Sequence, residues 1–189
     1  MPLTLIKVLE ADDDDYLTFV NGSNDVVFDT TYNEYQFQFV NIFPDTNATI
    51  LSFQVDTGTN TSYNQQITST AFEAENDESD SSGGPQYRSN RDQGNGTELQ
   101  QLSEYVYDGV GDESASGVLT LYDPANGTFL KHWQSIVNSY GNSVSQVSYH
   151  AGYINQTSAL TRIRFAMTAN DMSISGTIKT GKIYMYGVG

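Results

Sequence analysis

The 189-residue sequence contains no cysteine, only four prolines and only eight lysine and arginine residues. Without cysteine the chain has no disulfide framework and no thiolate ligand for zinc. Because nucleic-acid binding needs a basic surface, 23 acidic residues and a net charge of −15 argue against a nucleic-acid partner. No stretch approaches the roughly 18 consecutive apolar residues of a membrane span, and the N-terminus lacks the apolar run of a signal peptide, so we expect no membrane partner.

The polar residues that are present are mostly uncharged, and the large apolar residues are mostly aromatic. Charged residues make up 16% of the chain, which also contains 13 tyrosines and nine phenylalanines. Aromatic and β-branched residues favour strands, whereas the helix formers Ala, Lys and Glu show no helical spacing. The composition therefore predicts an all-β protein, and the length predicts one domain over residues 1–189.

Alternation of apolar and polar residues predicts strands along most of the chain. Aromatic side chains alternate with glutamines in residues 35–39, and apolar side chains alternate with two arginines in residues 160–167. The turn signal at residues 21–24 predicts a short return strand at residues 26–28. Predicted strands recur about every 8–12 residues, which is typical of an antiparallel β-sandwich. We expect jelly-roll-like connections between its two sheets.

One segment is expected to lie outside the sandwich, and a second, whose residues 3–9 also alternate well enough for a first strand, is a candidate to extend from it. Residues 74–98 are rich in Asp, Glu, Ser and Gly, and they predict one long polar loop that exceeds the usual length of loops in compact domains. Residues 1–10 are a candidate for an extended N-terminal arm. Such an arm would add a strand to the exposed sheet edge of a neighbouring molecule.

Charge is unevenly distributed along the sequence. Residues 1–130 carry 22 acidic and three basic side chains, whereas residues 131–189 carry one acid and five bases. Interleaving of strands from the two parts would mix the signs over the surface. The alternative is a basic face that meets an acidic neighbour, such as another copy of the chain. We favour the interleaved arrangement.

The sequence contains no recognisable catalytic motif. It has no G-x-S-x-G nucleophile elbow and no phosphate-binding loop. A two-histidine metal site at His132 and His150 would need a neighbouring carboxylate, and residues 12–15 lack the spacing of a calcium-binding loop. A Ser-His-Asp triad and a glycosidase carboxylate pair stay open, because both are defined in space. We predict no catalytic, cofactor-binding or metal-binding residues, and hence no enzyme.

Several segments of the sequence resemble segments of known virion proteins. The segments are YNEYQFQFVNIFP at 32–44, GVLTLYDP at 117–124, FLKH at 129–132, AGYINQTSA at 151–159 and the closing residues 174–187. They are similar to segments of small virion-associated proteins of tailed bacteriophages, especially marine and cyanobacterial phages. The closing segment departs from the family pattern, because Lys-Thr-Gly separates its isoleucine from the final Tyr-Gly. The resemblance spans residues 30–189, is weakest over residues 74–98 and carries no catalytic signature.

The resemblance implies a structural part of a virion. Our first hypothesis is a capsid decoration, or cement, protein that is made in the host cytoplasm, binds the major capsid protein on the outer surface of the head and forms a homotrimer. The alternative is a tail-fibre or receptor-binding module that recognises a host surface glycan through residues 74–98. A polysaccharide-degrading domain is a third and less favoured hypothesis.

The expected contact surface combines the N-terminal segment with the basic residues. An acidic exterior keeps the protein soluble, while tyrosine buries a large area and keeps a polar tip. The candidate residues for contact with the capsid or with other copies are Leu3, Leu5, Lys7, Arg88, Arg91, Arg162, Arg164, Lys179 and Lys182.

Overall fold

The computed structural model describes residues 2–81, 83–109 and 111–189, which form two antiparallel β-sheets. The described residues contain no helix that is long and apolar enough to cross a membrane. The prediction of an all-β, antiparallel, two-sheet fold is confirmed. The jelly-roll connections stay a prediction.

Thirteen strands are formed by the described residues. They are β1 (Leu3–Glu10), β2 (Leu17–Val20), β3 (Glu34–Pro44), β4 (Ile50–Thr57), β5 (Ile67–Asp77), β6 (Gly83–Tyr87), β7 (Gly94–Gly96), β8 (Gln100–Gln101), β9 (Ser114–Tyr122), β10 (Lys131–Gly141), β11 (Val144–Ile154), β12 (Leu160–Thr168) and β13 (Ile178–Val188).

The two sheets differ greatly in size. The large sheet has the strand order β1-β13-β3-β9-β10-β11-β5-β6, and β7 also pairs with β5. The small sheet has the order β2-β12-β4-β8. The large sheet is therefore wide enough to extend beyond the small sheet that packs on its inner face.

The core between the sheets is built from the aromatic residues that the alternation predicted. Phe37 and Phe39 on β3 are buried, while the alternating Gln36 and Gln38 lie on the other face of the sheet. The Phe37 ring packs edge to face on Phe19 of β2, with ring centroids 5.4 Å apart. Phe39 packs in the same manner on Phe165 of β12 at 5.2 Å. These contacts join the two sheets through aromatic pairs, which prefer such tilted geometry.

Strands from the acidic and basic parts of the sequence are interleaved. In the large sheet, β13 lies between β1 and β3, and β10 and β11 lie between β9 and β5. In the small sheet, β12 lies between β2 and β4. The basic residues of the C-terminal part are thus distributed over both sheets, as the favoured interpretation requires.

The prediction of one polar loop over residues 74–98 was wrong in part. Strand β5 continues to Asp77, and β6 and β7 both pair with it in an antiparallel manner. The glycine and proline content suggested a loop. Pro85 is tolerated in β6 because β6 is an edge strand, where one row of backbone N–H groups needs no partner.

The N-terminal segment is an edge strand of its own sheet and not a free arm. Strand β1 pairs with β13 over Leu3–Glu10, with a bulge between Leu5 and Lys7. The side chains of Ile6 and Leu9 pack against the core, which favours this intramolecular pairing.

The short return strand predicted at residues 26–28 was also wrong. Val26 and Phe28 are buried, but this segment has no strand conformation. The amide oxygen of Asn21 accepts a hydrogen bond from the Phe28 N–H at 2.9 Å, so a side chain satisfies the backbone in place of a partner strand.

Candidate docking surface

The outer face of the small sheet is covered by the chain itself. Gln54 and Asp56 on β4 point away from the core, yet both are fully buried. The Gln54 amide donates to the backbone carbonyls of residues 65, 97 and 98. The Asp56 carboxylate accepts from the Tyr63 N–H at 2.8 Å and from the side chains of residues 60 and 65. The β4 part of this face is therefore covered by the chain's own connecting segments.

The outer face of the large sheet, in contrast, is open to solvent and unusually apolar. Most of the large apolar side chains that the described residues expose are found on this outer face. They are Leu3, Leu5, Val40, Phe72, Tyr87, Tyr122 and Ile136.

One line of paired residues crosses all eight strands of this face, and we call it the outer row. Each member lies directly opposite the next across a strand pair, and only one member is neither apolar nor aromatic. The outer row runs Val8, Tyr184, Gln38, Val118, Ile136, Tyr149, Phe72, Tyr87.

Formal charge is almost absent from the centre of this face. On β3, β5, β9, β10 and β11, which are described in full, the only charged residue at an outward position is Glu34, the first residue of β3. At the β1 edge, Glu10 and Lys182 neutralise each other across an N–O distance of 3.2 Å. An exposed sheet without charge lacks the usual protection against association. Depletion of charge together with enrichment in aromatic residues is typical of the centre of protein interfaces.

Two groups of apolar side chains lie at the ends of this face, and Val40, Val118 and Tyr122 lie on the strands between them. The β13 patch, at the β1 edge, consists of Leu3, Leu5, Tyr184 and Tyr186, and its two tyrosine rings lie nearly parallel with centroids 6.4 Å apart.

The β11 patch, at the opposite end, consists of Phe72, Tyr87, Ile136 and Tyr149. The rings of Phe72 and Tyr149 are stacked, with centroids 4.9 Å apart and planes 9° from parallel. The two patches are separated by the amide and hydroxyl side chains of β3 and β9.

The predicted contact residues at the β1 edge fall into different positions. Leu3 and Leu5 are about half exposed and belong to the β13 patch. Lys182 lies on the same face, paired with Glu10, whereas Lys179 is exposed with its ammonium 5.8 Å from the Phe43 ring centroid. Lys7 lies opposite Met185, whose side chain is in the core, so Lys7 occupies an inward position of an edge strand.

Arg91 is in the protein interior, so the expectation that it contacts a partner was wrong. The Glu104 carboxylate accepts hydrogen bonds from Nε and Nη2 of Arg91, at 2.9 and 2.8 Å. It also accepts from Nε and Nη2 of Arg88, at 3.0 and 2.8 Å. Arg91 and Glu104 are each only 1% exposed, while Arg88 retains 23% exposure. A buried carboxylate that requires compensating charge explains why these arginines turn inward.

Arg162 and Arg164 lie on β12, on the outer face of the small sheet. The Arg164 guanidinium lies over the rings of Tyr16 and Tyr63, at 4.5 and 4.3 Å from their centroids. The Arg162 side chain donates to the Gly58 carbonyl at 3.1 Å. The structure therefore separates these two arginines from Leu3 and Leu5, and the nine predicted residues do not form one surface.

Two titratable groups on the inner face of the large sheet, Glu73 and His150, are buried. Burial lowers the pKa of His150 to about 4, and burial together with the nearby Glu104 raises the pKa of Glu73 to about 7. His132 lies on the outer face and His150 on the inner face of the same sheet, so the two histidines do not share a metal ion. Within the described ranges, no three His, Asp or Glu residues are grouped so that they could hold one.

Comparison with known proteins gives no relative. No family model, curated protein or solved structure matches the chain.

The outer row itself was not found from the sequence. Its members lie on eight different strands, and no local sequence pattern links them. Only the register of seven strand pairs brings them into line, and register is a long-range property.

Proposed function

We propose that the protein is a phage capsid decoration protein that attaches to the outer surface of the major capsid shell through the outer face of its large sheet. The observation that carries this proposal is the open, uncharged and aromatic face with the outer row. The viral assignment rests on the resemblance of the strand segments to virion-associated proteins of tailed phages.

Short-range contact is the form of attachment that this face supports. The net charge of −15 repels other acidic surfaces. Dissolved salt screens electrostatic attraction and repulsion between surfaces that are more than about 10 Å apart. Docking therefore depends on apolar burial and hydrogen bonds. The outer face supplies both, because tyrosines and aliphatic residues at its ends flank glutamine and threonine side chains at its centre.

The β13 patch is the part of this face that we assign to the capsid. Leu3 and Leu5 are 48% and 52% exposed although they are aliphatic, and Tyr184 and Tyr186 extend the apolar area beside them. The free edge of β1 adds unpaired backbone groups next to the patch, which a strand of the shell can pair with.

The tail-fibre alternative receives less support from the same structure. That hypothesis placed glycan recognition on residues 74–98. Much of this segment is held in β5, β6 and β7, and its Arg91 is buried against Glu104. We infer that little of the segment is free to reshape around a sugar.

A rebinding experiment tests the proposal. Particles of the encoding phage that lack the protein are titrated with purified wild-type chain, with the double variant Leu5→Ser and Tyr186→Ser, and with the control Ile174→Ser, which removes an exposed apolar residue outside the outer face. Burial of one such side chain contributes about 1.5–3 kcal/mol, so we expect the double variant to bind at least about tenfold more weakly than wild type or control. Equal binding of all three proteins would remove the β13 patch from the proposal, and absence of binding by wild type would reject the function.

A further inference from the structure

Phe129 is the most exposed large apolar residue among those described, with 68% of its surface accessible. It lies in the connection between β9 and β10, outside both sheets. Exposed apolar residues are common one by one. Phe129 lies in a connection rather than on a strand, yet its backbone is held by hydrogen bonds on both sides.

The two backbone groups of Phe129 are held by separate side chains. The Asn126 side-chain oxygen accepts from the Phe129 N–H at 3.1 Å, and the Lys131 ammonium donates to the Phe129 carbonyl at 2.6 Å. The same ammonium donates to the carbonyls of Gln156 and Thr157 at 3.4 and 3.1 Å. The connection is thus attached to the neighbouring β11–β12 segment and is not a free loop.

The ammonium group that holds the Phe129 carbonyl belongs to a buried lysine, Lys131. Lys131 is completely buried, and burial lowers its pKa. Burying an ammonium group is unfavourable unless its hydrogen bonds are satisfied, and here three carbonyls satisfy them. The result is an aromatic ring on a rigid backbone that projects into solvent. Such preorganisation favours binding because little conformational freedom is lost on contact.

A cleft of matching size is present in the β11 patch of the same molecule. It has a volume of about 200 Å³ and lies above Ala151, a small residue among larger ones. Its outward walls are formed by Thr70, Phe72, Gln134, Ile136 and Tyr149. An apolar cavity of about 150 Å³ holds one benzene ring. The cleft therefore has room for one aromatic side chain and is too small for a cofactor or an oligosaccharide.

We propose that Phe129 of one copy inserts into the Ala151 cleft of a second copy, and that this contact links neighbouring copies of the protein. Neither element is filled within one chain, because Phe129 is exposed and the cleft is open. Residues 124–130 and the outward walls of the cleft carry no charged side chain, so two copies of net charge −15 meet through uncharged surfaces.

The geometry of this contact determines the kind of assembly. A projection and a cleft at different places on one molecule form a heterologous contact, which closes into a ring when the rotation between copies permits it. A three-membered ring would be the homotrimer that the resemblance to virion proteins implies. Burial of one aromatic ring is a small contribution, so we expect weak association in solution that strengthens when copies are held side by side on a particle.

The test uses the free protein and is independent of capsid binding. Sedimentation equilibrium over a wide concentration range compares wild type with Phe129→Ser, which removes the ring, and Ala151→Leu, which fills the cleft. Both positions are solvent-exposed, so both variants are expected to fold, and circular dichroism verifies this. We expect either variant to weaken self-association at least tenfold, whereas the control Ile174→Ser leaves it unchanged.

Mixing the two variants gives a second readout. Phe129→Ser keeps an intact cleft and Ala151→Leu keeps an intact ring, so an equimolar mixture should form a one-contact pair that neither variant forms alone. A monomeric wild type at every concentration, or variants that associate as wild type does, would overturn the proposal. The proposal would also be overturned if wild type were monomeric and Phe129→Ser no longer bound particles. Phe129 would then contact the capsid shell and not the cleft of a second copy.

Discussion

At the scale of residues, the most unusual feature is the buried ionic cluster around Glu104. The guanidinium groups of Arg88 and Arg91 both bind this carboxylate. Glu73 lies beside it and is only 1% exposed. Glu73 accepts from the Gln86 amide at 2.5 Å and is 3.2 Å from the Arg88 guanidinium. The cluster fastens residues 86–91 to β5 and so determines the shape of the segment that the sequence suggested was a loop.

The raised pKa of Glu73 leads to a prediction about stability and pH. Burial and the neighbouring Glu104 raise the pKa of Glu73 from 4.5 to about 7. Between these values the folded chain retains a proton that the unfolded chain has lost, so the contribution of Glu73 to the unfolding free energy falls as pH rises. Glu73→Gln resembles the protonated carboxyl at every pH. We expect the variant to match wild type near pH 4.5 and to exceed it by at least about 1 kcal/mol at pH 8.

Urea denaturation at several pH values measures this difference. Comparison of variant with wild type cancels the contribution of His150, whose lowered pKa acts in the opposite direction: its stabilisation is present above about pH 6.5 and is lost toward about pH 4. A stability difference that does not change between pH 4.5 and pH 8 would contradict the assigned protonation of Glu73.

At the scale of elements, the close spacing of β9 and β10 depends on one glycine. A Cβ at Gly117 would lie 2.3 Å from the Ile136 carbonyl oxygen and 2.6 Å from the Val137 Cα, and both atoms belong to the backbone of β10. We expect Gly117→Ala to reduce the unfolding free energy by about 1–3 kcal/mol, because the two strands must move apart. Gly127→Ala is the control, since no atom lies within 4 Å of its Cβ position.

Equilibrium unfolding in urea compares the two glycine variants. Because β9 and β10 carry Val118 and Ile136 of the outer row, Gly117→Ala should also disturb the docking surface. Similar stabilities for the two variants would show that the strands are less closely spaced than described.

Strands were predictable where the local alternation of residues determines them, and not where they depend on a partner that is distant in the sequence. Residues 160–167 alternate as observed in β12, and residues 35–39 alternate as observed in β3. The edge strand β6 was missed, because Gly and Pro suggest a loop unless the neighbouring strand is known. Leu3 and Leu5 were identified as surface candidates, whereas Arg91 was misplaced because its partner Glu104 is 13 residues away.

At the scale of the whole molecule, the two faces of the sandwich are different. Segments of the chain cover the β4 part of the outer face of the small sheet, where Gln54 and Asp56 are buried. In the part of the chain that the structure describes, no segment gives the same cover to Phe72, Ile136 or Leu5 on the large sheet, which are each about half exposed. This asymmetry is the basis of the proposal that the large sheet docks on a shell, with copies linked through Phe129.

The most direct measurement is a cryo-electron-microscopy map of the intact phage particle. We expect this sandwich in many copies on the outside of the head, with the β13 patch of the large sheet against the capsid shell and with neighbouring copies in contact. A map in which the outer row faces solvent, or in which the protein is absent from the head, would contradict the central claim.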